Sequence, residues 1–290
     1  MVNNIYGKGE KQMSLGIALS GGGIRGIAHA GALKALEESG IKCDIISGAS
    51  SGSMIATLYA LGYSPYYIYI LFKRYAKEIC ELNGMPILSS VGNFIVNKKI
   101  SINGLNKGER LETAFNELAK KQGAENIGQV KMPLLVTSVD ISKSEEVIFS
   151  SIPKKEYIDK IPVGTAVRAS AAFPVIFEPC KYQDKLLIDG GVLDNTPIKV
   201  LKENGADKVI AIRFDSDTVT PESNVMDITM KTIDIMGNKL CDEQFEMCDH
   251  IITIPSDGTG LLDVDKLDFC YKSGYTETMR TINEIKKNCL

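Results

Sequence analysis

The 290-residue chain predicts an α/β fold, a three-layer α/β/α sandwich around a mostly parallel central sheet. Two observations predict it. Short apolar runs rich in β-branched residues recur along the chain, with helix-length stretches between most of them. Several of those runs are apolar on both faces, as strands covered by helices on both sides must be. Composition supplies the core, with 44% hydrophobic and 24% charged residues, the balance of an ordinary globular protein. Residues 1–13 read as a polar tail and residues 14–290 as one large domain.

In chain order, Met1–Ser14 carries Lys8, Glu10 and Lys11 and lacks the apolar centre of a signal peptide. A strand over Leu15–Ser20 precedes a helix over Gly26–Ser39, which Gly40 ends as a left-handed cap. A strand at Ile45–Gly48 leads to helices over Ser53–Leu61 and Pro65–Leu82. Gly84–Asn103 shows turn signals at Gly84, Pro86, Gly92 and Asn103 and reads as an insertion or lid. A helix over Leu105–Lys121 follows, then strands Leu134–Val139 and Val147–Ser150, a helix over Val163–Ala169 and a strand at Leu186–Ile188. Thr196 caps a helix that has Pro197 at its first position and runs to Glu203. Strand Val209–Phe214, a long helix Val225–Cys248, strand Ile251–Ile254 and helix Lys266–Lys287 complete the chain.

Whole-chain properties exclude several functions. The formal charge is −3 and no Lys/Arg run forms a basic stripe, so nucleic acid is not an expected partner. The seven cysteines are odd in number and contain no CxxC pair, which points to free thiols in a reducing compartment. No stretch approaches 18 consecutive apolar residues. The chain therefore reads as soluble and cytoplasmic.

Three motifs carry chemistry. Asp44–Met54 places Ser50 between Gly48 and Gly52 in a Gly-x-Ser-x-Gly frame, with Ile45 and Ile46 before it and an apolar helix after it. A serine on a tight strand-to-helix corner has a strained backbone, and flanking glycines remove the side chains that would collide. Gly21-Gly22-Gly23-Ile24-Arg25-Gly26 joins the first strand to the first helix. It matches the Gly-x-Gly-x-x-Gly dinucleotide fingerprint, with Asp44 about 20 residues on, so an NAD(P)-dependent oxidoreductase is one reading. Asp44 stands before the second strand, however, whereas a ribose-binding acid should end it. The same loop suits a smaller anion, because bare amides and a helix N-terminus can form an oxyanion hole. The third motif, Asp189-Gly190-Gly191, ends an apolar strand at the sheet edge expected for Ser50.

A serine nucleophile needs a base. The sequence has two histidines. His29 lies in a nearly all-apolar helix and reads as a core residue, and His250 precedes the last strand instead of following it. Asp189 is the better candidate, provided burial raises its pKa; as a plain turn residue it would simply cap its own backbone.

Together these motifs, with Ala169–Pro174 and Asp189–Pro197, resemble the patatin-like phospholipases over about Leu15–Phe214. These are serine lipid acyl hydrolases with a Ser–Asp dyad. The resemblance implies Ser50 as nucleophile, Asp189 as base and the amides of Gly21, Gly22 and Gly23 as oxyanion donors. It also implies a patatin-type sandwich and no metal or cofactor. Arg25, Gly26, Gly48, Gly52, Gly190 and Gly191 support the motifs, with Arg25 shaping the loop. Ser51 departs mildly from the small residue that the family has after its nucleophile. A lipid or other acyl ester becomes the expected substrate. Tyr63, Tyr66, Tyr67, Tyr69, Phe72 and Tyr75 suit membrane contact or plain helix packing, as do the methionines of Val225–Cys248. A non-catalytic, regulatory member of the same fold is the remaining alternative.

Overall fold

The computed structural model describes residues 13–82, 106–174, 176–215, 225–260 and 263–290. Among these, eight strands form one sheet: β1 (Leu15–Leu19), β2 (Ile45–Gly48), β3 (Leu134–Asp140), β4 (Glu145–Ser150), β5 (Cys180–Tyr182), β6 (Lys185–Asp189), β7 (Lys208–Phe214) and β8 (His250–Ile254). The helices are α1 (Ile27–Glu38), α2 (Ser51–Ala60), α3 (Pro65–Leu82), α4 (Glu109–Lys121), α5 (Val163–Ser170), α6 (Lys199–Glu203), α7 (Val225–Leu240) and α8 (Leu267–Cys289). All but the last residue of the expected tail, and the expected lid at 84–103, lie outside the described residues.

The sheet is mixed. Strands β8, β7, β1, β2 and β3 run parallel side by side, whereas β4 and β6 pair antiparallel with β3, and β5 antiparallel with β6. The strand edge of β3 explains the change. Its first half pairs with β2, Val136 facing Gly48. β2 stops there because the chain turns into α2, and β6 takes over the same edge from the opposite direction, Asp189 facing Ser138. The free amides and carbonyls of β3 beyond Val136 are thereby paired, as a buried strand requires. The ends of β2 and β6 consequently point at each other. The sequence reading placed Asp189 correctly at a strand end but did not foresee this reversed direction.

Period-2 alternation splits the sheet residues between two cores. Ile17, Leu19, Ile46, Val136, Ile210 and Ile212 enter the larger core, which α1, α2, α3, α4, α5 and α8 complete. Ala18, Ile45, Leu135, Val209 and Ala211 enter a smaller one with Ile198, Val200 and Leu201. The sandwich is therefore lopsided, its second helical layer reduced largely to the five-residue α6. This helix starts later than the Pro197 signal suggests, because the Ser47 hydroxyl takes the Pro197 carbonyl at 2.6 Å. The predicted helix to Cys248 likewise stops at Leu240 and continues as a 3₁₀ turn over Asp242–Met247. Cys241 is held there, its Sγ donating to Asp194 and accepting from the Asn195 amide. β5 is three residues long, too short for a periodic signal.

α1 and α8 cross at two glycines. A Cβ at Gly274 would collide with the Ala28 carbonyl, and one at Gly31 with the Tyr271 carbonyl. Gly274→Val should therefore lower stability by about 2 kcal/mol or more, as overpacking against backbone does. Urea denaturation checks this; an unchanged midpoint would show that the crossing tolerates separation.

Candidate active site

Ser50 sits between β2 and α2 with φ 51° and ψ −127°, in backbone space that costs an L-residue about 1–3 kcal/mol. The neighbours hold it there. A Cβ at Gly48 would lie 2.6 Å from the Gly52 carbonyl, and one at Gly52 would meet the Leu19 and Ser20 carbonyls. A Cβ at Gly26 would in turn strike Ser51. These glycines let α2 start directly against β1 and the glycine loop. Two hydroxyls complete the corner: Ser170 Oγ accepts from the Ser50 amide at 3.1 Å, and Ser53 Oγ donates to the Ser50 carbonyl at 2.6 Å. Ser170 lies in a stretch the sequence reading quoted without giving it this task.

The glycine loop faces the same corner, with one correction. The Gly21 amide donates to the Asn195 carbonyl at 3.0 Å, so it supports the loop and is not free to receive an oxyanion. The Gly22 and Gly23 amides have no acceptor among the described residues. Arg25 orients them. It is almost fully buried, its backbone amide and its Nε both donate to the Gly22 carbonyl at 3.2 Å, and its Nη1 donates to Ser256 Oγ. In a trans peptide the Gly22 carbonyl and Gly23 N–H point in opposite directions. Anchoring the carbonyl on Arg25 therefore turns the Gly23 N–H away from the arginine. The expectation that Arg25 shapes the loop thus acquires a geometry.

Asp189 is 1% exposed, at the end of β6. Its Oδ1 accepts from the Gly191 amide at 2.8 Å, so the turn-capping role is real and uses one oxygen. Oδ2 is buried without a hydrogen bond of regular geometry. The Ser50 hydroxyl is nonetheless close enough to favour the carboxylate form. Burial dominates and pushes the Asp189 carboxyl from 3.8 up to about 7, opposed by the Ser50 hydroxyl and the Gly191 amide. Desolvation thus brings its titration close to neutral pH.

Neither histidine joins this group. His29 Nε2 lies 2.8 Å from the Ser20 carbonyl, its ring sits tilted against Phe214, and burial lowers its pKa to about 4. It is a neutral core residue. His250 opens β8, which runs parallel to β1 and β2, so it stands at the opposite sheet edge from Ser50. Asp44 is at that far edge too, its Oδ2 accepting from the Leu15 amide at 2.8 Å. This placement separates it from the glycine loop and removes the ribose partner of the dinucleotide reading.

Ser50, Asp189 and Gly21–Gly23 line a mostly apolar cavity of about 980 Å³ including its open mouth. Met54, Phe72, Leu111, Phe173, Phe177 and Ile233 supply much of its wall. Asn195 was missed as a site residue. Its carbonyl holds Gly21 and its Nδ2 donates to Asn238 Oδ1 at 2.8 Å, tying α7 to the loops. Its position in the Asp189–Pro197 stretch was the available signal.

A model of the patatin-like phospholipase family matches residues 17–202. The chain belongs to this family. The match takes in the glycine loop, Ser50 and Asp189. Among relatives, lysophospholipase NTE1 of Debaryomyces hansenii is 32% identical over 215 residues, which is 72% of this chain but 12% of that protein. YqhO of Bacillus subtilis, an uncharacterized protein, is 31% identical over 206 residues, 67% of this chain and 68% of its own length. The crystal structure of VipD from Legionella pneumophila covers 96% of this chain and 67% of that chain at 17% identity, with a TM-score of 0.52, which shows the shared fold.

The raised Asp189 pKa has a consequence for stability. Because the folded value, about 7, exceeds the unfolded 3.8, ionisation is penalised in the folded state. The penalty is absent below about pH 4, grows between pH 4 and 7 and then reaches about 4 kcal/mol. Asp189→Asn should therefore match the wild type in stability near pH 4 and exceed it by ~2–4 kcal/mol at pH 8. Urea titrations at the two pH values measure the difference, and equal stability at pH 8 would contradict it.

Proposed function

We propose that the chain is a serine lipid acyl hydrolase in which Ser50 is the nucleophile and Asp189 the general base. One observation carries this reading: a strained serine beside a buried carboxyl of raised pKa, facing two unclaimed glycine amides in an apolar cavity. Asp189 takes the Ser50 proton as Oγ attacks the ester carbonyl. The Gly22 and Gly23 amides receive the oxyanion, and Asp189 returns the proton to the departing alcohol. Water then attacks the acyl-enzyme, giving a proton to Asp189, and the carboxylic acid leaves as Ser50 is restored. No histidine takes part. All members of the set are present, which favours catalysis over a purely regulatory role.

The rim supports a lipid substrate. α3 and α7 contribute Phe72, Ala76 and Ile233 to the wall, and their outer faces expose Tyr66, Tyr67 and Ile70 on α3 and Ile228, Ile235 and Met236 on α7. We read this rim as the surface that meets lipid aggregates. Among the described residues no helix is long and apolar enough to cross a membrane. The described cysteines are free thiols, which fits the reducing interior of a cell.

Hydrolysis of p-nitrophenyl esters of graded chain length tests the mechanism. Ser50→Ala should lower kcat/KM by ~10³-fold or more, Asp189→Asn by at least ~10²-fold, and His250→Ala by less than ~3-fold. Unchanged hydrolysis by Ser50→Ala would remove the nucleophile, and dependence on His250 without Asp189 would replace the dyad by a triad. The wild-type kcat/KM should fall about tenfold per pH unit below pH 6 and level off above pH 8, as the base with a pKa of about 7 becomes ionised. A flat profile from pH 5 to 8 would show that Asp189 is not the titrating base.

A further inference from the structure

Two glycines on opposite sides of the site share one neighbour. A Cβ on Gly21, in the glycine loop, would lie 2.5 Å from Asn195 Oδ1, and a Cβ on Gly191, in the turn after β6, would lie 2.6 Å from the same atom. Neither glycine has a positive φ, so backbone conformation does not demand them. The space each leaves is what the Asn195 carboxamide occupies. That carboxamide therefore stands between the loop that offers the oxyanion amides and the turn whose Gly191 amide holds Asp189 at 2.8 Å. Asn195 is 7% exposed and lines the cavity. Its backbone is fixed as well, the carbonyl accepting from the Gly21 amide at 3.0 Å and the amide donating to Cys241 Sγ at 3.2 Å.

The orientation of that carboxamide is set from α7. Lys231 Nζ lies 3.3 Å from Asp234 Oδ2, Asn238 Nδ2 donates to Asp234 Oδ1 at 3.2 Å, and Asn195 Nδ2 donates to Asn238 Oδ1 at 2.8 Å. Residues 231, 234 and 238 follow the three- and four-residue spacing that places side chains on one helix face. The Asp234 carboxylate, paired with Lys231, can only accept hydrogen bonds. It therefore turns Asn238 Nδ2 toward itself and leaves Asn238 Oδ1 facing Asn195. Asn195 must then present Nδ2 to α7, which directs its Oδ1 into the gap between the two glycines. Asp234 also lines the cavity, and with both oxygens engaged it serves this relay. Asn238 lies outside the cavity wall. α7 is seated directly on the turn after β6, since a Cβ on Gly237 would collide with the Gly191 carbonyl.

We propose that Asn195 is a positioning residue for hydrolysis at Ser50, the spacer that fixes the gap between the oxyanion loop and the Asp189 turn, and that Asn238 locks its orientation from α7. The inference rests on the reading of Ser50 as nucleophile and Asp189 as base. An ester carbonyl must reach the Gly22 and Gly23 amides while Ser50 Oγ stays within reach of Asp189, so the separation of the two loops governs the rate. Formation and hydrolysis of the acyl-enzyme use the same two loops. Loss of the spacer therefore lowers kcat, whereas KM, set by apolar contacts of the acyl chain with the cavity wall, stays nearly constant.

The test measures kcat and KM on p-nitrophenyl butyrate for the wild type, Asn195→Ala, Asn238→Ala, Asn238→Leu and the Asn195→Ala/Asn238→Ala double variant. Rates are divided by the active sites that an alkyl fluorophosphonate titrates covalently, so unfolded enzyme drops out of the comparison. We expect each single variant to lose ~10-fold or more in kcat with KM within ~2-fold of the wild type, as small misplacements of reacting groups imply. The double variant should fall no more than ~2-fold below the worse single one, because the two side chains act as one unit. Asn238→Leu keeps a branched side chain and removes both hydrogen bonds, and it should lose as much as Asn238→Ala. Wild-type kcat in Asn238→Leu would mean that Asn238 supplies only packing, and would overturn the lock. Wild-type kcat in Asn238→Ala, or losses that multiply in the double variant, would do the same. A loss carried mainly by KM would make Asn195 a substrate contact and refute the spacer role. Ser50→Ala on the same ester keeps the two readings apart. If it is inactive while Asn238→Ala works at the wild-type rate, the positioning role alone fails; if it is active, the hydrolase reading fails with it.

Discussion

The shared edge of β3 is the constraint on which the site depends. A central strand must pair along both edges, and β2 leaves one of them at Gly48 because the chain turns into α2. The vacated half of that edge is filled by β6 from the opposite direction. Two strand ends therefore meet head-on, one delivering Ser50 and the other Asp189. A parallel strand in place of β6 would leave its carboxyl end alongside that of β2 and pointing the same way. The antiparallel one aims its last residue at Ser50. Backbone pairing, which costs the fold nothing extra, thus sets the approach of Ser50 and Asp189.

Around that meeting point the molecule accepts two unfavourable conditions. Ser50 occupies strained backbone, and Asp189 is an ionisable group sealed from water. Both persist because their surroundings are over-determined. Gly26, Gly48 and Gly52 allow no alternative path for the chain, and the large apolar core behind them supplies the free energy that offsets the strain. The same burial that destabilises the Asp189 carboxylate brings its titration close to neutral pH.

The legible parts of the site are the ones encoded locally. Ser50 could be read because the glycines that permit its corner lie two residues either side of it. The glycine loop could be read because it joins a recognisable strand directly to a helix. His29 could be set aside as a core residue because its helix is apolar all round. The assignment of Gly21 as a donor failed for a non-local reason: its amide is taken by Asn195, 174 positions later, which no spacing reveals. The stop of α7 at Leu240 failed likewise, since Cys241 is held by Asp194 and Asn195 across the fold. β5 was invisible because three residues carry no period.

By itself the sequence determined the α/β class, most of the strands and helices, and the strained corner at Ser50. These follow from short-range rules: apolar periodicity, capping, and the steric freedom of glycine. The tertiary structure alone decided that the sheet is mixed and the sandwich lopsided. It also decided that two glycine amides remain open where three were expected. Those outcomes depend on which distant groups claim a given hydrogen bond or strand edge, and that competition is settled only when the chain is packed.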